Sequence, residues 1–218
     1  ECGVPKPRVC VLPHGELGSL YKRLAKDDQK IEREAFTLLF YGRIWPYKGL
    51  KYLLEAMSLI IKRIPQVKLI IAGEGENLQK YFPDGFDEKH YEILDHYIPS
   101  EDVVNLFQRS TAVILPYIEA SQSGVAALAY ALGTPVIASE IGGLAEMIYS
   151  EQDGLLVPPR DVTALADAII RLLSDSNLQN QIRTAALYRC QDDLNWSNIA
   201  AQTIEIYRKA IYLKSSYH

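Results

Sequence analysis

The chain has 218 residues, 48% hydrophobic and 23% charged, which suits one large globular domain or two small ones with ample core. A formal net charge of −4 argues against a nucleic-acid-binding domain, which is usually basic, and no apolar run approaches the 18 residues of a transmembrane segment. The three cysteines, Cys2, Cys10 and Cys190, are far apart and lack a CxxC pair or His/Cys cluster, which points to reduced cytosolic thiols rather than disulfides or a zinc site.

In chain order, residues 9–12 read as a short β-type run ending in Pro13-His14-Gly15, and the charged stretch 17–34 reads as a loop with a surface helix. Thr37–Tyr41 is a continuous apolar run, as expected of a strand buried on both faces. Leu50, Leu53, Leu54, Met57, Ile61 and Ile64 then fall on one helical face, which Pro65 ends. Residues 67–72 are the next strand, closed by Gly73-Glu74-Gly75, and a weaker one follows at Tyr91–Leu94. Ser100 reads as an N-cap, with Glu101 and Asp102 in the first turn of a helix to Arg109. After the strand Ala112–Leu115, the polar loop Ser121-Gln122-Ser123-Gly124 enters an alanine-rich helix that stops at Gly133 and turns into strand 136–138. A helix near 144–149, a strand at Leu155–Val157 and helices over 162–174, 177–190 and 196–213 complete the chain, with no internal repeat.

Strands alternating with helices predict an α/β fold, a single doubly wound, Rossmann-like parallel sheet whose ligands sit at the carboxyl ends of the strands. Two loops there draw notice. The first, residues 42–49, sets Arg43 and Lys48 beside a helix start, where positive charge is misplaced unless an anion joins it. The second offers Ser121, Gln122, Ser123 and Gly124 where one capping residue would suffice. A diphosphate held between them would take dipoles from one loop and cations from the other. A solvated basic loop and an ordinary serine cap are the alternatives.

The stretches "FYGRIWPYKGLKYLLEA", "VKLIIAGEG", "YIPSEDVVNLFQRSTAVILPY", "GTPVIASEIGGLAEMI" and "DGLLVPPRD" occur in order. Together they resemble the donor-binding, C-terminal domain of GT-B glycosyltransferases of family 4, the glycosyltransferase group 1 domain, over most of the chain. The resemblance implies transfer of a sugar from a nucleotide-sugar donor (a UDP-, GDP- or ADP-sugar), with retention of anomeric configuration and no cofactor or essential metal. The absence of an Asp-x-Asp motif agrees with that. By matching position, Arg43 and Lys48 would grip the diphosphate and stabilise its departing charge, beside Gly42 and with Ser123, Gly124 and Val125. Tyr97 and Ile98 would meet the nucleobase through their backbone, and Glu146 would be structural support.

The family also carries a Glu, a Gly-Phe-Gly-like loop and a second Glu eight residues on. Here those carboxylate positions are Ala120 and Leu128. Glu119 stands one residue early, and Gln122 is the hydrogen-bonding substitute. His14 reads as part of a turn or hinge, and the 14 tyrosines form no evident sugar platform. The resemblance divides the chain into an interdomain segment with a first strand (1–16), the nucleotide-sugar-binding domain (17–195) and a C-terminal helix (196–218) directed toward an N-terminal acceptor domain. The chain thus reads as a piece of a longer enzyme, inactive alone, in the cytoplasm, reaching a membrane only peripherally through the other domain. Two rival readings are a nucleotide-sugar epimerase on the same architecture and a non-catalytic sensor or partner subunit, which Ala120 and Leu128 favour.

Overall fold

A computed structural model of the protein describes residues 9–25, 31–82 and 86–215. Its six strands are β1 (Thr37–Tyr41), β2 (Lys68–Ala72), β3 (Tyr91–Leu94), β4 (Ala112–Leu115), β5 (Val136–Ser139) and β6 (Leu155–Val157). All pair in parallel in the order β3-β2-β1-β4-β5-β6. Sequence order therefore reverses between β1 and β4, and the chain leaving these neighbours opens a crevice at their carboxyl ends.

The apolar runs form strands because both sheet faces are covered. Leu38, Phe40, Leu69, Ile71, Ile114 and Ile137 belong to the layer of α2 (Leu50–Arg63) and α6 (Val162–Ser174). Leu39, Ile70, Val113, Leu115, Val136 and Ala138 belong to the opposite layer, with α3 (Ser100–Arg109), α4 (Gly124–Leu132) and Leu144 of α5 (Gly142–Met147). Within α2, Leu50, Leu53, Leu54, Met57 and Ile60 are buried at helical spacing. Helix α7 (Ser176–Gln191) joins the layers: Leu178 and Ile182 lie in the first core, Ala186 and Cys190 in the second.

Three expectations shift. Residues 9–12 carry no strand, with Val9 53% and Val11 83% exposed. A β-type run needs a pairing partner, and this one, followed by Pro13, has no paired neighbour among the described residues. Ser100 is the first residue of α3 rather than its cap, because Pro99 takes the cap position with φ −58°. Helix α5 starts at Gly142, two residues earlier than the apolar pattern suggests.

Before β1, the helix α1 (Gly18–Leu24) packs against α3 and α4. Lys22 Nζ donates to the carbonyl of Ala131 at 2.9 Å and Arg33 Nη2 to that of Gly133 at 2.8 Å. Two cations thus meet the negative end of α4, where dipole and charge agree. Helix α8 (Trp196–Ser215) begins on Gly15, and Trp196 Nε1 donates to the carbonyl of Glu16 at 2.8 Å. Farther along, Ile204, Tyr207 and Ile211 recur at helical spacing with at least half of each exposed. Among the described residues no helix is long and apolar enough to cross a membrane.

One buried polar cluster pins α4, α7 and the turn before β6. Asp153, only 1% exposed, accepts from Tyr130 Oη at 2.8 Å, from the Tyr149 N–H at 2.7 Å and from Arg189 Nη1 at 2.5 Å. The Arg189 guanidinium also lies 4.2 Å from the centre of the Tyr149 ring. Removing one partner of such a pair strands a buried charge. Arg189→Met is expected to destabilise the fold by about 3–5 kcal/mol in urea denaturation, while Tyr130→Phe costs about 1 kcal/mol.

Candidate functional site at the carboxyl edge

Because β1 and β4 are hydrogen-bonded neighbours, the loops that follow them, residues 42–49 and 116–123, run side by side. Their approach is backbone to backbone. Gly49 has φ +70°, and a Cβ built on it would stand 1.8 Å from the carbonyl oxygen of Pro116, so only glycine fits. Beside it, the Ile118 N–H donates to the Tyr47 carbonyl at 2.8 Å.

That approach brings Lys48 onto Tyr117. The ammonium donates to the phenol oxygen at 2.7 Å and sits 3.9 Å from the ring centre, while the Tyr47 ring meets Tyr117 edge-on at 6.4 Å. Tyr117 is 1% exposed. Burial pushes the Lys48 ammonium down to about 8, with no neighbouring charge contributing. Burial also pushes the Tyr117 phenol well up, against the opposing pull of a hydrogen bond with Ser123, so the phenol is neutral. Arg43 is exposed, and its side chain makes no hydrogen bond or ion pair among the described residues.

The second loop ends at Ser123, the N-cap of α4, whose Oγ accepts from the Ala126 N–H at 3.3 Å. The N–H groups of Gly124 and Val125 find no acceptor among the described residues, as a helix start dictates. From behind, Gly143 of α5 presses on this loop: a Cβ there would stand 2.1 Å from the Ser121 carbonyl oxygen. The edge therefore presents a desolvated ammonium without a carboxylate, a free guanidinium and open helix N–H groups, the chemistry of an anion site.

The structure brings most of the sequence-predicted residues together here. Gly42 follows β1, its N–H bonded to the Ala72 carbonyl, and a Cβ on it would lie 3.9 Å from Val125 Cγ2. Tyr97 and Ile98 stand farther off, after β3, two strands away, with Tyr97 65% exposed and Ile98 in the core. Glu119 and Gln122 are exposed on the loop, and Glu119 has no ion pair among the described residues. Leu128 lies in the core and Ala120 is half-buried, so neither carboxylate position of the resemblance carries a polar side chain. Sequence reasoning missed Tyr117 and Gly49. The only signal for Tyr117 was an aromatic hydroxyl two residues past the end of β4.

A separate cavity of about 340 Å³ lies against Gln122 and Ser123 but is lined by neither Arg43 nor Lys48. His14 lines it, with Nδ1 2.7 Å from the Gly15 carbonyl oxygen and its ring edge-on to Trp196.

Residues 35–175 match the family model described as Glycosyl transferases group 1. The chain is 31% identical over 189 residues to an uncharacterized glycosyltransferase of Methanocaldococcus jannaschii, covering 85% of this chain and 46% of that protein. It thus spans under half the length of that relative. Among solved structures, the sucrose-phosphate synthase of Thermosynechococcus elongatus superposes with a TM-score of 0.69 at 28% identity, over 92% of this chain and 50% of that one. An Anabaena protein solved with UDP-glucose has a TM-score of 0.67 at 19% identity, over 81% of this chain and 49% of that one.

Gly49→Ala tests the close approach of the two loops. It is expected to destabilise the protein by more than about 1 kcal/mol, the scale for alanine at positive φ. A denaturant midpoint at the unaltered value would show that the loops tolerate separation.

Proposed function

The chain belongs to the group 1 glycosyltransferases, and on that premise we propose that it binds the donor for a retaining, metal-independent and cofactor-free hexosyl transfer from a nucleotide-sugar. The observation that carries the reading is Lys48 lodged on Tyr117 beside the open N-terminus of α4. A diphosphate there would take its counter-charge from Arg43 and Lys48 and its hydrogen bonds from the N–H groups of Gly124 and Val125. As the bond to the sugar breaks, negative charge grows on the leaving diphosphate, and these groups stabilise it with little rearrangement.

Donors with a UDP base are favoured by the Anabaena neighbour, which was solved with UDP-glucose. Tyr97 and Ile98, beyond β3, would flank the base. With Ala120 and Leu128 offering no carboxylate, the sugar hydroxyls fall to Gln122 and Glu119. The acceptor side belongs to an N-terminal domain outside this chain, toward which the exposed face of α8 would turn, so the chain alone binds donor without turnover. The protein would work in the cytoplasm. A non-catalytic sensor is the second reading, favoured by those two missing carboxylates, and transfer by the intact parent enzyme separates the two.

A thermal-shift screen against UDP-, GDP- and ADP-sugars is expected to raise the melting temperature with one of them, because a ligand of the native state stabilises it. Arg43→Ala and Lys48→Ala should each weaken the corresponding nucleoside diphosphate by about 1.5–3 kcal/mol in titration calorimetry, the range for charge-assisted hydrogen bonds. Unchanged affinity in both variants would refute the diphosphate site.

The pH dependence has a fixed sign. Lys48 is held below its ordinary 10.5, so its charged form costs stability below about 8, and that cost is relieved as pH rises from 8 toward 10.5. Nucleotide affinity should run the other way, falling as pH passes about 8 and the ammonium is lost.

A further inference from the structure

We propose that Tyr117 is the positioning residue of this site, its phenol holding the Lys48 ammonium in place before any nucleotide arrives. The inference rests on the reading of Lys48 as a diphosphate ligand.

The geometry defines the ammonium from two directions. The phenol oxygen accepts from Nζ at 2.7 Å, and the ring face lies below it at 3.9 Å from the centre, so one side chain supplies both an acceptor and a cation–π contact. A lysine side chain otherwise carries rotamer entropy that a ligand would have to overcome on binding. Tyr117 can restrain it because Tyr117 itself has no freedom. It is buried, it follows the central strand β4, and its neighbour Pro116 is fixed against Gly49. The Lys48–Tyr117 bond itself crosses from the loop after β1 to the loop after β4.

The chemical type of this partner matters. An Asp or Glu in its place would also anchor the ammonium, but it would cancel the charge and compete with the diphosphate for it. A neutral phenol positions the cation and leaves its charge available. The groups around Lys48 fit this: Tyr47 from its own loop and Tyr117 from the loop after β4, with no carboxylate paired to it among the described residues.

The test is a double-mutant cycle on the full chain, with Tyr117→Phe, Lys48→Met and both together, titrated with whichever of UDP, GDP and ADP binds tightest. Tyr117→Phe keeps the ring and removes the acceptor. It is expected to weaken binding roughly three- to tenfold, the scale of one net hydrogen bond, and to add nothing in the Lys48→Met background. It should also move the alkaline fall of affinity to lower pH, since the lost acceptor favoured the charged lysine. Unchanged affinity, or the same loss in the Lys48→Met background, would overturn the proposal. If Lys48→Met itself leaves affinity intact, or no nucleotide binds, the diphosphate site fails and this inference with it. Should Tyr117→Phe not fold, nitrogen NMR of the unaltered protein decides. A resolved, hydrogen-bonded Lys48 ammonium signal without nucleotide supports positioning, and one averaged like the surface lysines overturns it.

Discussion

The contact of the Gly49 backbone with the Pro116 carbonyl governs the carboxyl edge of this sheet. It exists because β1 and β4 are neighbours, and its consequences reach outward from there. The loop after β1 must turn at Gly49 to start α2, and the turn delivers Lys48 onto Tyr117. The loop after β4 then has one course left, between the first loop and Gly143, and it enters α4 with its N–H groups uncovered. One steric fact thereby fixes a cation, a phenol and a helix start in mutual register.

The electrostatics follow the same economy. Within the described residues, the carboxylates that balance the arginines lie away from this edge: Glu34 and Glu92 pair with Arg109, Glu151 with Arg171, and Asp153 with Arg189. Arg43 and Lys48 are left without such partners. An uncompensated, half-buried cation is tolerated where a ligand supplies the counter-ion, which is the part proposed for the donor diphosphate. On the proposed reading, the apolar residues Ala120 and Leu128 leave more of the donor's binding to backbone dipoles and these two cations.

Much of the fold was legible because the signals were local. All six strands stood out as apolar runs or, for Tyr91–Leu94, as a weaker one, and the phase of α2 came from its leucines. The failures share one cause. Whether residues 9–12 form a strand depends on a pairing partner elsewhere, and whether Pro99 or Ser100 caps α3 depends on the conformation of a single bond. At the site, Arg43, Lys48 and the Ser123 loop were legible from their place after strands. Tyr117 was not, because its contact with Lys48 spans 69 positions and depends on strand order, which alternation alone does not reveal. The Asp153–Arg189 cluster was hidden for the same reason, its members lying in stretches that read as turn and helix.

The cations on the last carbonyls of α4 bear on where this domain can be trimmed. Lys22 and Arg33 both precede residue 35, where the family match begins, so a shortened protein starting there would keep every strand. It would nevertheless lose both positive charges from the negative pole of the helix whose other end opens on the proposed diphosphate site, about 13 Å away by helix length. Each such charge is worth about 0.3–1 kcal/mol to a helix. A boundary drawn by homology would therefore preserve the scaffold and weaken the dipole, and the stretch that looks like a decorated surface helix is part of the electrical ground of the site.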